Sequence, residues 1–197
     1  MLKILQSKKI RPSKRWKAFS LGDRMESFYI YDATGKPTDR IAERGSKLKD
    51  DEYSPVVHVW IKNSKNEYLI HQRNKLTDHI PHLWATVTGL QTIQDSPEEA
   101  SLRELEEELG LSLNPKDLHL VKTIKTTQEK YRTYTFVYII FKDIDLTTLT
   151  LDQNEVRAVK YARFDEISKM IKEGLFWDYS KLLEDEMYFS SLERTKR

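Results

Sequence analysis

The 197-residue chain contains no cysteine, which removes disulfides, thiolate zinc sites and cysteine nucleophiles together. It also lacks any long apolar run: the longest, residues 136–141, is about a third of what a bilayer-spanning helix needs. The N-terminus is basic but has neither the continuous apolar stretch nor the small-residue cleavage site of a secretory signal. At 39% the apolar fraction is low for a globular chain, yet too high for a disordered one. These exclusions point to a soluble, cytoplasmic domain with no membrane partner. Its chemistry must rest on carboxylates, histidines, hydroxyls or a bound metal.

The formal net charge of +2 conceals an asymmetry. Eight of the 33 basic residues but only one of the 31 acidic ones fall in residues 1–24, leaving 25 and 30 in the rest. Such an arm suits an anionic partner such as nucleic acid, but better fits a solvated extension, or one that folds back on an acidic domain. Trp16 and Phe19 suggest that part of it docks.

Along the remainder, Phe28-Tyr29-Ile30-Tyr31 reads as a short strand running into a turn, with a second near Arg40-Ile41-Ala42. After a polar connector over 45–54, residues 56–61 and 67–72 form a predicted hairpin around Asn63-Ser64-Lys65-Asn66. A second hairpin is expected from 118–127 and 131–141, then a strand over 156–162. Two helices are expected near 165–173 and 180–189.

The best-defined helix starts at Ser96-Pro97-Glu98-Glu99, where Ser at the N-cap, Pro at the first position and Glu three residues later make a capping box. Gly110 is a natural stop. Leu102, Leu105 and Leu109 share a face that should bury, and Glu104, Glu107 and Glu108 form a carboxylate stripe placed away from it. Like charges at this spacing repel by a few tenths of a kcal/mol, roughly, and a divalent cation would relieve them. Spacing alone leaves two readings open, a metal site and an acidic surface helix.

Residues 89–111, GLQTIQDSPEEASLRELEEELGL, resemble the Nudix box, G-x5-E-x7-R-E-U-x-E-E-x-G-U with U aliphatic. Gly89, Arg103, Glu104, Leu105, Glu107, Glu108, Gly110 and Leu111 fall in register. Asp95 stands where the family usually has Glu, keeping the carboxylate but one methylene shorter. Residues 25–190 are similar to the isopentenyl-diphosphate-isomerase-like branch of that family, including its short N-terminal strands.

The resemblance implies an α/β (α+β) fold, a Nudix-like α/β/α sandwich with a central mixed β-sheet. The resemblance does not cover the basic extension at 1–24, and it places the domain at 25–197, with short strands in 25–54, the core in 55–165 and the C-terminal helices in 165–190. It also implies a Mg²⁺-dependent hydrolase, with Mn²⁺ as an alternative ion, cleaving the diphosphate linkage of a nucleoside diphosphate derivative or related small metabolite. By the same resemblance Gly89 (through its carbonyl), Glu104, Glu107 and Glu108 are the metal ligands. Glu104, Glu107 and Glu155 are the catalytic acids, with Glu155 an additional ligand or general base. Arg103 and Asp95 are supporting residues. By residue type alone, Arg73 suits a phosphate grip or a surface ion pair, and Trp84, Trp60 and Tyr131 suit either substrate stacking or, as the default for aromatics in strands, core packing.

Isopentenyl diphosphate isomerisation would need a cysteine just before the glycine and nearby histidines, but Thr88 and Leu90 occupy those positions. RNA 5′-end hydrolysis, or an RNA-binding module using the basic arm, is the alternative function, though no aromatics alternate with the basic groups there. His58, His71, His79, His82 and His119 form no close metal-spaced pattern; His58 and His71 read as hydrogen-bonded sheet residues, either of which could line the cleft. Trp177 and Tyr179 fit either a core cap or a homodimer contact. Substrate choice is expected to lie in the loops at 74–83, 125–133 and 143–155.

Overall fold

The computed structural model describes residues 26–74, 82–128 and 131–196. The basic arm, His79, most of the 74–83 loop and the tip of the second hairpin lie outside them. The described residues form strands β1 (Ser27–Tyr31), β2 (Pro37–Glu43), β3 (Ser54–Lys62), β4 (Glu67–Arg73), β5 (Trp84–Ala85), β6 (Val87–Leu90), β7 (His119–Gln128), β8 (Tyr131–Phe141) and β9 (Val156–Arg163). The helices are α1 (Pro97–Leu109), α2 (Phe164–Lys172), α3 (Tyr179–Leu182) and α4 (Tyr188–Arg194). None is long and apolar enough to cross a membrane.

Strand β3 is the axis of a mixed sheet. It runs parallel to β8 along its whole length, and β8 continues into β7 as the expected hairpin. A long β-branched and aromatic run suits this position because both faces are covered. Val59 and Ile61 pack under α1 with Leu105 and Leu109. Trp60 faces the other way, into a core closed by Ile167 and Met170 of α2, Tyr179 of α3, and Tyr188 and Leu192 of α4. The result is the expected sandwich of helix, mixed sheet and helices.

The hairpin predicted over 56–72 is more open than its sequence suggests. β3 and β4 pair only at Ile61↔Leu69 and Lys62↔Tyr68, beside the turn. Beyond that they fork. β6 pairs with β3 from Val56↔Leu90 to Val59↔Val87, and β5 pairs with β4 at His71↔Ala85 and Gln72↔Trp84. Thr86, at the crossing, donates its hydroxyl to the Val59 carbonyl. β9 covers the far side of β4, from Glu67↔Arg163 to Arg73↔Val156. The β1–β2 hairpin is held by Phe28 and Ile30 against Leu90.

The helix expected at 180–189 is instead two short helices, and helical structure runs on to Arg194. The break falls at Glu184, whose φ of 51° is left-handed. Tertiary contacts override propensity here. Asp185 turns out to pair with Lys122 of β7, and Tyr188 drops into the core. There the Trp60 indole donates to the Tyr188 hydroxyl (2.9 Å), which also lies 2.9 Å from His58 Nδ1. Burial lowers the His58 pKa to about 3, so this imidazole is neutral. Replacing Tyr188 with Phe strands two buried polar groups. Urea denaturation of Tyr188→Phe should show a loss of about 1–3 kcal/mol with the far-UV spectrum unchanged.

Candidate metal and diphosphate site

α1 begins and ends as its sequence dictates. Ser96 Oγ accepts from Glu99 N–H (3.2 Å) and Glu99 returns a bond to Ser96 N–H (2.8 Å). At the other end Gly110 adopts φ 65°, and its N–H bonds to the Glu106 carbonyl at 3.0 Å. Asp152 N–H bonds to the Glu108 carbonyl (3.0 Å), which ties the loop before β9 to the end of this helix.

The placement of the carboxylate stripe is corrected. Glu104 and Glu108 are not away from the buried face but part of it, their side chains 9% and 6% exposed, whereas the Glu107 side chain stands out at 60%. Leu102, expected to bury, is only half-buried. At 3.6 residues per turn Glu104 and Glu108 sit one step around from Leu105 and Leu109, and the β6 strand overhangs that border. A Cβ on Gly89 would lie 2.1 Å from the Glu104 carboxyl carbon, so any other residue there would displace the acid from this position.

Arg103 ties the group together. Its Nε donates to Asp95 (3.0 Å), one terminal nitrogen donates to both Glu104 (2.8 Å) and Glu107 (3.0 Å), and the other reaches the Leu90 carbonyl (2.8 Å). The shortened acid at position 95 therefore still reaches its partner, helped by a 2.9 Å bond from the Thr92 hydroxyl. Burial disfavours the guanidinium charge, but the carboxylates of Glu104, Asp95 and Glu107 outweigh it and raise the pKa further.

Burial is also the main force on the acids. It lifts Glu104 to about 7 against the pull of Arg103. It holds Glu108 well above the usual carboxylate range, with repulsion from Glu104 and Glu155 adding to it and Arg73 opposing. Glu108 Oε2 lies 3.3 Å from His71 Nδ1, yet neither atom has a partner in hydrogen-bonding geometry. Burial and the Arg73 charge bring His71 to about 3, so the contact is between a neutral imidazole and a carboxyl rather than an ion pair. The sequence marks His71 as a strand residue able to line the cleft, but its aim at Glu108 depends on the register of β4.

Glu155 enters from the loop before β9. Its carbonyl accepts from Asn74 N–H (2.8 Å), and Arg73 pairs with Val156 beside it. Arg73 thus stands at the rim of the acids, its guanidinium 5.7 Å from the Trp177 ring centroid. Trp84 is placed differently. It packs on the core beneath the C-terminal helices, with Lys160 Nζ 4.9 Å above its ring, and bonds through its backbone to Leu175 and Trp177. Trp60, an aromatic candidate by type, is core. A recess of about 650 Å³ lined by Arg163, Lys169 and Lys172 contains none of these acids.

A sequence model of the NUDIX domain matches residues 52–184. The chain belongs to the Nudix family. An uncharacterized Nudix hydrolase of Listeria monocytogenes is 29% identical over 156 residues, covering 79% of this chain and 90% of that one. DR0079 from Deinococcus radiodurans superposes with a TM-score of 0.65 at 18% identity, over 81% of this chain and 98% of that chain. A bifunctional NMN adenylyltransferase/ADP ribose pyrophosphatase from Francisella tularensis, solved with AMP and a Mn ion, gives 0.53 at 18% identity, over 71% of this chain and 42% of its own. At such identities the two structures establish the fold. With its family and its hydrolase relatives, the chain is a Nudix hydrolase acting on pyrophosphate bonds.

Nudix hydrolases work with divalent metal, and the donors here suit one. They are hard carboxylate oxygens, one of them on Glu108 buried without a hydrogen-bond partner. Among the described residues no three carboxylate or imidazole groups are gathered into a finished cage. Arg103 holds Glu104 and Glu107 to one side, while Glu108 faces His71.

Two outcomes follow from this geometry. In Gly89→Ala the methyl displaces Glu104, so hydrolysis should fall about a hundredfold while circular dichroism stays native. The second concerns pH. With its pKa raised to about 7, Glu104 binds a proton in the folded chain that the unfolded chain has already released above its ordinary 4.5. Its stabilising contribution is complete below the unfolded value and is lost as pH rises through about 7. In EDTA the melting temperature should decline between about pH 5 and about pH 8, and Glu104→Gln should flatten that slope.

Proposed function

We propose that this chain is a Mg²⁺-dependent Nudix hydrolase that cleaves the diphosphate linkage of a nucleoside diphosphate derivative or a related small metabolite. The observation that carries the reading is the buried Glu104–Glu108 pair, with an unpartnered Glu108 oxygen, facing the rim where Arg73 and Glu155 stand. Glu104, Glu107, Glu108 and the Gly89 carbonyl would hold the ion, Mg²⁺ or Mn²⁺. A bound divalent cation supplies charge neutralisation at the phosphates and makes water a better nucleophile. The AMP and Mn seen in the Francisella enzyme are consistent with such a ligand pair.

The chain's own groups divide the remaining work. Arg73 offsets phosphate charge at the rim. Glu155 takes the proton of the attacking water, as its position beside Arg73 and opposite Glu108 suits. Arg103 touches no substrate; it sets the direction of Glu104 and Glu107 and keeps Asp95 in place. The β1–β2 hairpin resting on Leu90 supports the isopentenyl-diphosphate-isomerase-like branch. Isomerase chemistry itself is not proposed, because the chain has no cysteine to run it.

The test is metal-dependent release of monophosphate from a panel of nucleoside diphosphates, triphosphates, nucleotide sugars and dinucleoside polyphosphates. Glu107 is exposed, so Glu107→Gln removes a ligand charge with little effect on folding. Activity on one class, lost about a hundredfold or more in that variant, is the expected result. A variant as active as the wild type would exclude Glu107 from the site.

A further inference from the structure

Glu108 meets an imidazole where its neighbours Glu104 and Glu107 meet Arg103. That imidazole, His71, arrives through strand alternation. Leu69, two residues earlier on the same face of β4, joins Leu105 and Leu109 in the apolar cluster under α1. An aliphatic side chain at 71 would simply extend that cluster. The position carries a histidine instead, 1% exposed, between Ala85 of β5 and Val159 of β9.

The pair has no use within the fold. His71 Nδ1 and Glu108 Oε2 lie 3.3 Å apart, both buried, and neither has a hydrogen-bond partner. Buried polar atoms in this state destabilise a protein, and two of them face to face call for a shared ligand. A proton does not serve, because the contact falls outside hydrogen-bonding geometry. An ion makes no such demand, since its two bonds meet at an angle. Donors about 2.1 Å from one ion stand 3.3 Å apart when that angle is about 105°, close to tetrahedral.

We infer that His71 is a metal ligand, and that its Nδ1 and Glu108 Oε2 together take a borderline transition-metal ion of the Co²⁺ or Zn²⁺ kind. The inference rests on the reading of the acidic cluster as a metal site. Mg²⁺ is a hard ion that selects oxygen, whereas imidazole nitrogen favours ions of the transition series. Arg103 draws Glu104 and Glu107 to its own side of the helix. The oxygens that suit Mg²⁺ and the mixed pair are thus two ends of one site, and His71 sets which metals it accepts. Among the described residues no third carboxylate or imidazole group joins the pair, which leaves the remaining coordination positions to water or phosphate oxygens.

The experiment needs no turnover. Calorimetry on the metal-free protein, without substrate, should give a Co²⁺ affinity that falls about tenfold or more in His71→Phe, while the Mg²⁺ affinity changes by less than about twofold. The visible absorption bands of bound Co²⁺ should shift in the same variant. If His71→Phe misfolds, ¹⁵N-histidine NMR of the wild-type chain gives an independent reading: Zn²⁺ should move the His71 imidazole signals, assigned through the backbone. A Co²⁺ affinity that falls no more than that for Mg²⁺ marks mere positioning of Glu108 and overturns the inference, as does a His71 signal that Zn²⁺ leaves in place. Should Mg²⁺-dependent hydrolysis persist with that signal unmoved, the inference fails and the hydrolase reading stands. Should His71 bind Zn²⁺ while no pyrophosphate is hydrolysed with any ion, the hydrolase reading fails and the metal position stands.

Discussion

A single close contact organises this molecule: the Glu104 carboxyl seated against the backbone of Gly89. It needs a strand residue without Cβ directly over the helix border, and a helix residue able to remain acidic while nearly buried. The contact locks α1 to β6, and β6 reaches that place only because β3 and β4 fork to admit it. Moving the glycine or straightening the fork would leave no room for the acid. The sheet's departure from a simple hairpin is therefore part of the site's construction.

Electrostatics explains why such a buried acidic face is tolerated. Carboxylates placed out of water raise their own free energy, and Glu108 and Glu104 respond by holding protons more tightly. Arg103 offsets part of this cost through four hydrogen bonds that also fix where Glu104, Glu107 and Asp95 point. His71, neutral against Glu108, adds no charge of its own. The arrangement is a preorganised demand for positive charge, from a proton or a cation, at the edge of the sheet.

The opposite face of the sheet serves the site indirectly. Trp60, Tyr179 and Tyr188 form an aromatic block whose polar tips pair with His58 and the Thr86 carbonyl. The segment between α2 and α3 is anchored on β5 by Trp84, and this anchorage delivers Trp177 to the side of Arg73. Residues more than a hundred positions apart, Arg73 and Trp177, thus meet at one rim. Stability of the C-terminal helices and the shape of the site are linked through the same aromatic side chains.

Local rules carried much of the reading. The capping box at Ser96, the stop at Gly110, the β-branched strands and the Arg-Glu-Leu spacing of the box all express short-range chemistry, so they were legible residue by residue. What they left undetermined was orientation. The periodicity of α1 grouped Glu104, Glu107 and Glu108 as one stripe, but helix spacing does not reveal which neighbours a strand will cover; β6 over Glu104 and β4 beside Glu108 separate the two buried acids from the exposed one. The same limit left open where His71 and Trp177 would stand, and hid the break at Glu184. Each depends on register or docking set by residues far away in the chain. By itself the sequence determined the family, the class of chemistry and the acids available for it. Tertiary structure decided which acids are buried and what stands beside them, because burial and long-range contact are properties of the packed sheet and not of any local segment.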